Sequence, residues 1–503
     1  GQAEGIWVKQ RNSETPLRLS EGPGLAAWPA WDPDGQTVAW VQLQGGSSEI
    51  RTVPSIGGAP RRLLSVAGAV AGLDWSPDGS RLVFAARDTA TGLHRLRRID
   101  PATLEVQDLV PGEAMTAGEV QPRWSPDGTQ LAWIRLGADG TSSLWVGAAD
   151  GRDRRQVLAG RAGLAGLAWT AEGRRLVVGV DNAGTYSLWV VGVDGSALRR
   201  LTEASEFAWN PDVAERTGEL VYEQVRVDQD LWRIRILGRD PWQLETSRFL
   251  ASTRWEYEAE FSPDGTRLAL ISARSGTPEL WLCDADGGDL HRLTETGEAM
   301  IARPRWSPDG TRIAISVRDW DRSRVAIVPA AGGPLRDLTP PDADESLVGW
   351  WSDGASLLVE HRRGRQVEQQ LRDSATGALR PDKPGFGDYE AVQVGGYYLR
   401  AGGGIAHLPD RALCGDDEQT VVPGIAPADR DNWRPTAGGI VWVMRAGGQA
   451  FLMNHDLATG RSSVVTDLPG FAGNGLAVAP DGAAVIYPRL GAATGDLMRL
   501  VIP

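Results

Sequence analysis

The sequence predicts an all-β fold, two six-bladed β-propellers in tandem, each blade a four-stranded antiparallel sheet. Three observations predict it. An aromatic residue, a short Ser-Pro-Asp-Gly-like turn and an alternating apolar run recur along the chain, most clearly at Trp75–Gly79, Trp124–Gly128, Phe261–Gly265 and Trp306–Gly310. The aromatic anchors Trp31, Trp75, Trp124, Trp169, Trp209, Phe261, Trp306 and Trp351 are spaced 44, 49, 45, 40, 52, 45 and 45 residues apart, a propeller-blade period. No segment has sustained helical periodicity, whereas period-2 alternation is frequent.

Residues 304–338 illustrate one repeat. Pro304-Arg-Trp306 reads as a short inner strand. Ser307-Pro-Asp-Gly310 then reads as a tight turn, where Pro presets φ and Gly accepts positive φ. Thr311–Val317 alternates as a second strand. Arg324–Pro329 is a third strand, Gly332-Gly333 a hairpin turn and Pro334–Thr339 an outer strand. The anchor aromatic is expected to wedge between blades, since one buried large aromatic contributes on the order of 2–3 kcal/mol.

From Trp351 to the last copy, Val478-Ala-Pro-Asp-Gly482, is 127 residues, so two degenerate copies are expected between them. Val392–Ala401 and Pro435–Arg445, with Gly-Gly pairs at the turn, are assigned to them. Eleven repeat starts exceed the usual four to eight blades of one ring. The longest interval contains an extra stretch, Gly238–Thr253, after a complete third strand at Leu231–Leu237. The expected division is therefore 1–238 and 239–503, a single large ring being the alternative. Gly5–Ser20 reads as the third and fourth strands of an incomplete first blade. Asp496–Ile502 reads as a third strand lacking a fourth, which Arg248–Ala251 is expected to supply, closing the second ring.

A net charge of −13 and a pI near 5.1 disfavour direct contact with a nucleic-acid backbone. Cys283 and Cys414 fall about three blades apart by repeat counting, too far to bridge. No apolar run approaches the ~20 residues that span a bilayer. There is no G-x-S-x-G nucleophile elbow, and His94, His291, His361, His407 and His455 are scattered without metal-ligand spacing. Asp284-Ala-Asp-Gly-Gly-Asp289 has a calcium-like look, but repeat alignment makes it a hairpin turn. No catalytic residue, cofactor site or metal site is assigned, and the chain is expected not to be an enzyme.

Propellers bind at the channel mouth, through loops leading into each inner strand. The candidate residues there are Trp255, Glu256, Tyr257, Glu258, Arg303, Tyr389, Trp433 and Arg434, with Met300 and Asp431 in the same segments. Their aromatic and charged pairs are an interface-like composition. Packing of Trp255 and Trp433 at blade edges is the competing reading.

The Trp/Phe-Ser-Pro-Asp-Gly strand, followed by strands such as Glu279–Leu282 and Leu290–Thr294, resembles the TolB-like propeller family over nearly the whole chain. The second half, from Arg248–Thr294 through Asp431–Val443 to Gly475–Val501, resembles the C-terminal sensor region of bacterial CadC-type winged-helix transmembrane transcriptional regulators. The resemblance implies a non-catalytic sensor or protein-interaction region, periplasmic or envelope-associated. A protein, peptide or small ligand would bind at the channel mouth, and DNA and membrane would be contacted only by segments upstream. A free periplasmic TolB-like interaction protein, or the propeller portion of a peptidase or lyase, are the alternatives.

Overall fold

The computed structural model describes the chain except residues 1–4, 10–14, 110–116, 138–140, 160–162, 183–184, 204–206, 253, 298, 320–321, 352, 364–365, 381–396, 400–404, 408–418, 423–424, 426–428, 430, 472, 474 and 503. Among the described residues there are strands and turns and no α-helix. Met300–Trp306, Arg312–Arg318, Ser323–Pro329 and Arg336–Asp337 form one antiparallel sheet in chain order. The same four-stranded order recurs in the sheets that begin at Leu25–Trp31, Gly118–Trp124, Leu164–Trp169, Glu256–Phe261 and Trp433–Thr436, and in the sheet Val70–Asp108. First strands of successive sheets are neighbours in space. Four-stranded meanders packed one on the next around their first strands make this a β-propeller fold, as expected.

The turn chemistry explains why each sheet starts where it does. Asp309 accepts hydrogen bonds from the Thr311 amide (3.0 Å) and hydroxyl (2.8 Å) and from the Ser307 hydroxyl. These bonds hold its carboxyl down at about 2. Asp78, Asp127 and Asp264 repeat the arrangement.

Trp124, Trp169, Phe261, Trp306 and Trp350 wedge between sheets as expected, whereas Trp31 is 48% exposed. Trp306 is buried in a cluster that joins Ala269, Ile271 and Leu280 of one sheet to Ile313, Ile315 and Val317 of the next. Its indole N–H donates to the carbonyl of Glu260 in the preceding sheet at 3.1 Å. Trp169 does the same to Arg123 (3.1 Å) and Trp350 to Arg305 (2.9 Å).

Two anchor assignments shift. Trp350 ends its strand, and Trp351 takes the first turn position, its amide bonded to Ser356. The strand Phe207–Val213 ends at Val213, with the turn Ala214–Gly218 closed by Ala214 and Glu219. Trp209 therefore lies inside the strand, against Tyr186 with ring centroids 5.6 Å apart. Aromatic identity drew both assignments; strand register decides them. The expected copy at Pro435–Arg445 is present as the hairpin Trp433–Thr436 and Gly439–Ala446. Val392–Ala401 lies largely outside the described residues.

By contacts the chain divides into two compact units, Gly1–Thr202 with Glu206–Gln224 and Asp496–Pro503, and Glu203–Ser205 with Val225–Gly495. The strand Glu219–Arg239 passes from the first unit to the second at Gln224, ahead of the expected boundary at Gly238. The stretch expected as a seam is a strand, Trp242–Leu250, paired with Leu231–Arg239. In the second unit the Ile236 amide bonds the Ala483 carbonyl (2.8 Å), so Leu231–Leu237 is the third strand beside Ala484–Arg489. Residues 242–250 then follow as the outer strand. The C-terminal residues Met498, Leu500 and Ile502 pack instead on Val177, Leu188, Leu220 and Tyr222 of the first unit. Asp496–Ile502, read from sequence as the last strand of the final repeat, thus serves the first unit. The N-terminal pair Trp7–Val8 and Leu17–Arg18 forms a two-stranded sheet, with Ile6 and Leu19 packed on Trp40.

Candidate functional site

The inner strands carry the site because most of them are bulged. Register shifts occur between Val70 and Leu73, Val120 and Arg123, Ala165 and Leu167, Tyr257 and Glu260, and Ala302 and Arg305. A bulge re-aims side chains, and these sit at the strand edge of a ring. The bulged residue has positive φ, which suits Gly72 and Gly166. A Cβ on Gly72 would come within 2.7 Å of the Gln121 backbone, and one on Gly166 within 2.7 Å of the Asn210 amide. At the same place in the second unit stand Glu258 (φ 45°) and Arg303 (φ 55°). Charged side chains there cost backbone strain on the order of 1 kcal/mol or more.

In the second unit these residues converge. The Glu258 carboxylate accepts the Arg303 amide. Arg303 donates to the Leu347 carbonyl (3.0 Å) and pairs with Asp431 (3.4 Å) and Glu360 (3.9 Å). One step further along the strands, Glu260 accepts the Trp306 amide at 2.7 Å. Arg305 stands 3.9 Å from Asp431. Arg434 donates to the carbonyls of Asp431 (2.9 Å) and Trp433 (2.8 Å). Glu260, Arg305 and Arg434 face a cavity of about 350 Å³, walled by Trp306, Trp350 and the turn prolines Pro263, Pro308 and Pro480. Residues of five sheets meet on it.

Burial sets the electrostatics. It raises the carboxyls of Glu258 and Glu260, opposed by Arg303 beside the first and by Arg305 and Arg434 beside the second. Burial, reinforced by the like charge of Arg305, pushes Arg434 down to about 10. Nε of Arg305 and Nε of Arg434 are both buried without a hydrogen-bond partner among the described residues. Among the described residues, the lining includes no histidine or cysteine.

Of the residues singled out from sequence, Glu258, Arg303 and Arg434 come together here. Trp255 and Tyr257 stack on one another at 5.7 Å, and the Tyr257 hydroxyl donates to the Ile301 carbonyl (3.0 Å). Glu256 is fully buried within its own sheet, held by Ser252 (2.6 Å), Ser272 (3.1 Å) and Arg274 (3.1 Å). Glu119 and Glu345 play the same part at the same repeat position, paired with Arg135 and Arg372 respectively. Trp433 is completely buried between sheets, with Val348, Leu358 and Val422. Trp433 thus packs between sheets, and the Glu256 carboxylate is engaged within its own sheet. Tyr389 lies outside the described residues.

Glu260 and Arg305 were missed. The signal was present: the residue just before the anchor is charged at Asp74, Arg123, Glu260 and Arg305. The first unit uses its copies differently. Arg123 is spent on the carbonyls of Leu73 (2.9 Å) and Leu167 (3.0 Å), and Asp74 accepts the Trp124 amide (2.8 Å). Burial pushes Asp74 up to about 6 despite Arg123, and Asp212 is raised likewise. Asp284–Asp289 is a hairpin turn closed by Asp284 and Gly288. Cys283 is buried and its thiol is pushed up to about 12 by burial; Cys414 lies outside the described residues.

No family model matches the chain. It is 25% identical over 436 residues to tricorn protease homolog 1 of Streptomyces coelicolor, covering 75% of this chain and 38% of that protein. The chain spans 38%, 22% and 48% of three curated relatives it matches, less than half of each. Among solved structures, the tricorn protease aligns over 99% of this chain and 61% of its own, with 12% identity and a TM-score of 0.36. TolB from Acinetobacter baumannii aligns over 67% and 77%, with 16% identity and a TM-score of 0.22.

Proposed function

We propose that this chain is a non-catalytic binding module of two six-bladed propellers, which holds a ligand or a protein segment in the central cavity of the second unit. The observation that supports it is the convergence of Glu260, Arg305 and Arg434 on one apolar-walled cavity. Few polar groups set in an apolar wall are what a recognition pocket needs. In context the module is the sensor or interaction region of a bacterial envelope-associated regulator, a reading supported by the resemblance of the second half. A second reading, the propeller portion of a peptidase, is favoured by the 436-residue alignment with the tricorn homologue.

A thermal-shift screen of peptides and small molecules against the purified chain and Arg305→Ala tests the module. Hits are expected to raise the melting temperature of the native chain and not of the variant, and to be recovered unchanged. Hydrolysis of a hit would refute the non-catalytic reading, and equal shifts in both proteins would remove the cavity from it. The natural coding region separates the contexts: a winged helix and an apolar span of ~20 residues upstream mark the regulator.

A further inference from the structure

The geometry points to a carboxylate carried on an apolar body as the ligand of the second unit's cavity, its carboxylate held between Arg305 and Arg434. The inference rests on the cavity being a binding site and adds the chemistry of what enters it. Arg305 and Arg434 are each more than nine-tenths buried, and both line the cavity. Among the described residues neither donates a hydrogen bond to a carboxylate: Arg305 bonds the Pro304 carbonyl (2.9 Å) with Asp431 at 3.9 Å, and Arg434 bonds the carbonyls of Asp431 and Trp433, while Glu260, Asp431 and Glu258 act on it through their charge. The Nε–H of each is enclosed without a hydrogen-bond partner among the described residues. A buried guanidinium carries a desolvation cost that an anion bound beside it in the cavity offsets.

Arg303, one step along the strands, shows the contrast, with Asp431 at 3.4 Å and the Leu347 carbonyl at 3.0 Å. Glu260 is the acidic residue on the cavity wall, and one of its oxygens already accepts the Trp306 amide at 2.7 Å. Among the described residues the wall itself carries Arg305, Arg434 and Glu260, with the charges of Asp431 and Glu258 also acting on Arg434. The lining also includes Pro263, Pro308, Pro480, Trp350 and Trp351, an apolar surface suited to an alkyl or aromatic body and not to a second charge. The planar fork of arginine fits a carboxylate, and such charge-assisted bonds are about twice as strong as neutral ones.

The test uses tryptophan fluorescence of the full chain, with Trp306, Trp350 and Trp351 at the cavity as reporters. The probes are 3-phenylpropionate and its neutral amide, and the tripeptide Gly-Gly-Phe with a free or an amidated C-terminus. At least one acid is expected to bind saturably and about tenfold or more tighter than its amide, the loss of a charge-assisted bond. Binding of the small acid alone assigns a free organic acid, and binding of the tripeptide acid alone assigns a peptide C-terminus. Arg434→Gln should weaken the acid about tenfold with little effect on the amide. Glu260→Gln, which keeps an acceptor for the Trp306 amide, should tighten the acid. Should Arg434→Gln fail to fold, the acid–amide comparison on the native chain and Glu260→Gln still decide. Equal affinity for acid and amide would overturn the carboxylate while leaving the cavity a binding site. Saturable binding of neither acid would overturn the inference, and the screen above would then judge the cavity separately.

Discussion

Asp74, Arg123, Glu260 and Arg305 precede their anchor aromatics at equivalent points of neighbouring repeats, yet their environments give them different properties. Asp74 and Glu260 each fasten the amide of the next anchor, Trp124 and Trp306, so acid at this position has a structural duty in both units. Arg123 reaches the carbonyls of Leu73 and Leu167, whereas Arg305 bonds the Pro304 carbonyl and lines a cavity. The charged state of Asp74 is disfavoured on folding, its pKa rising from 3.8 to about 6. The folded protein therefore holds that proton to higher pH than the unfolded chain. This contribution to stability is fully present below the unfolded value and is lost as pH rises through the folded one. Asp74→Asn retains an acceptor for the Trp124 amide and does not titrate. Its melting temperature relative to the native protein should be higher at about pH 7.5 than at about pH 4.5. A difference that does not change with pH would show that Asp74 is not the group responsible.

At the scale of the element, the anchor aromatic is both wedge and donor. Trp306 fills the seam between two sheets and bonds the Glu260 carbonyl across it. Trp306→Phe keeps most of the ring and loses the indole N–H, an expected cost of about 1–2 kcal/mol. Trp306→Ala leaves a cavity as well, about 3–5 kcal/mol. Urea unfolding with both variants measures the two contributions. An alanine variant within about 0.5 kcal/mol of the native protein, the range of surface changes, would be incompatible with a wedge. Trp433, buried among Val348 and Leu358, is a wedge of the same kind. An interface-like composition was legible at Asp431–Arg434, but which of two adjacent side chains faces the core depends on strand register. Arg434 reaches the cavity because Trp433, next to it, points to the opposite face.

For the whole molecule, the decisive strands are Leu231–Leu237 and Asp496–Ile502. Each follows a strand of one repeat in sequence, and each completes a sheet of the other compact unit. Leu500→Asp sets a charge against Val190 and Tyr222 in the first unit's core. The variant should lose about 1–3 kcal/mol there. Hydrogen exchange should accelerate in Arg175–Asn182 and Thr185–Gly192, while Arg267–Ser272 in the second unit keeps its protection. Uniform acceleration in both would mean that the C-terminal strand does not belong to the first unit alone.

The sequence by itself determined the strands and turns. Alternation, the Ser-Pro-Asp-Gly turn and the fixed period act over a few residues, so all-β blades were legible without coordinates. It also marked Glu258, Arg303 and Arg434 as unusual. Only the tertiary structure decided which sheet the segments LWRIRIL and DLMRLVI join, because their period-2 patterns are alike and neither names a partner. It alone brought Glu260, Arg305 and Arg434 to one cavity, because residues 45 and 129 positions apart meet through the arrangement of sheets around the second unit's centre and not through anything local to each strand.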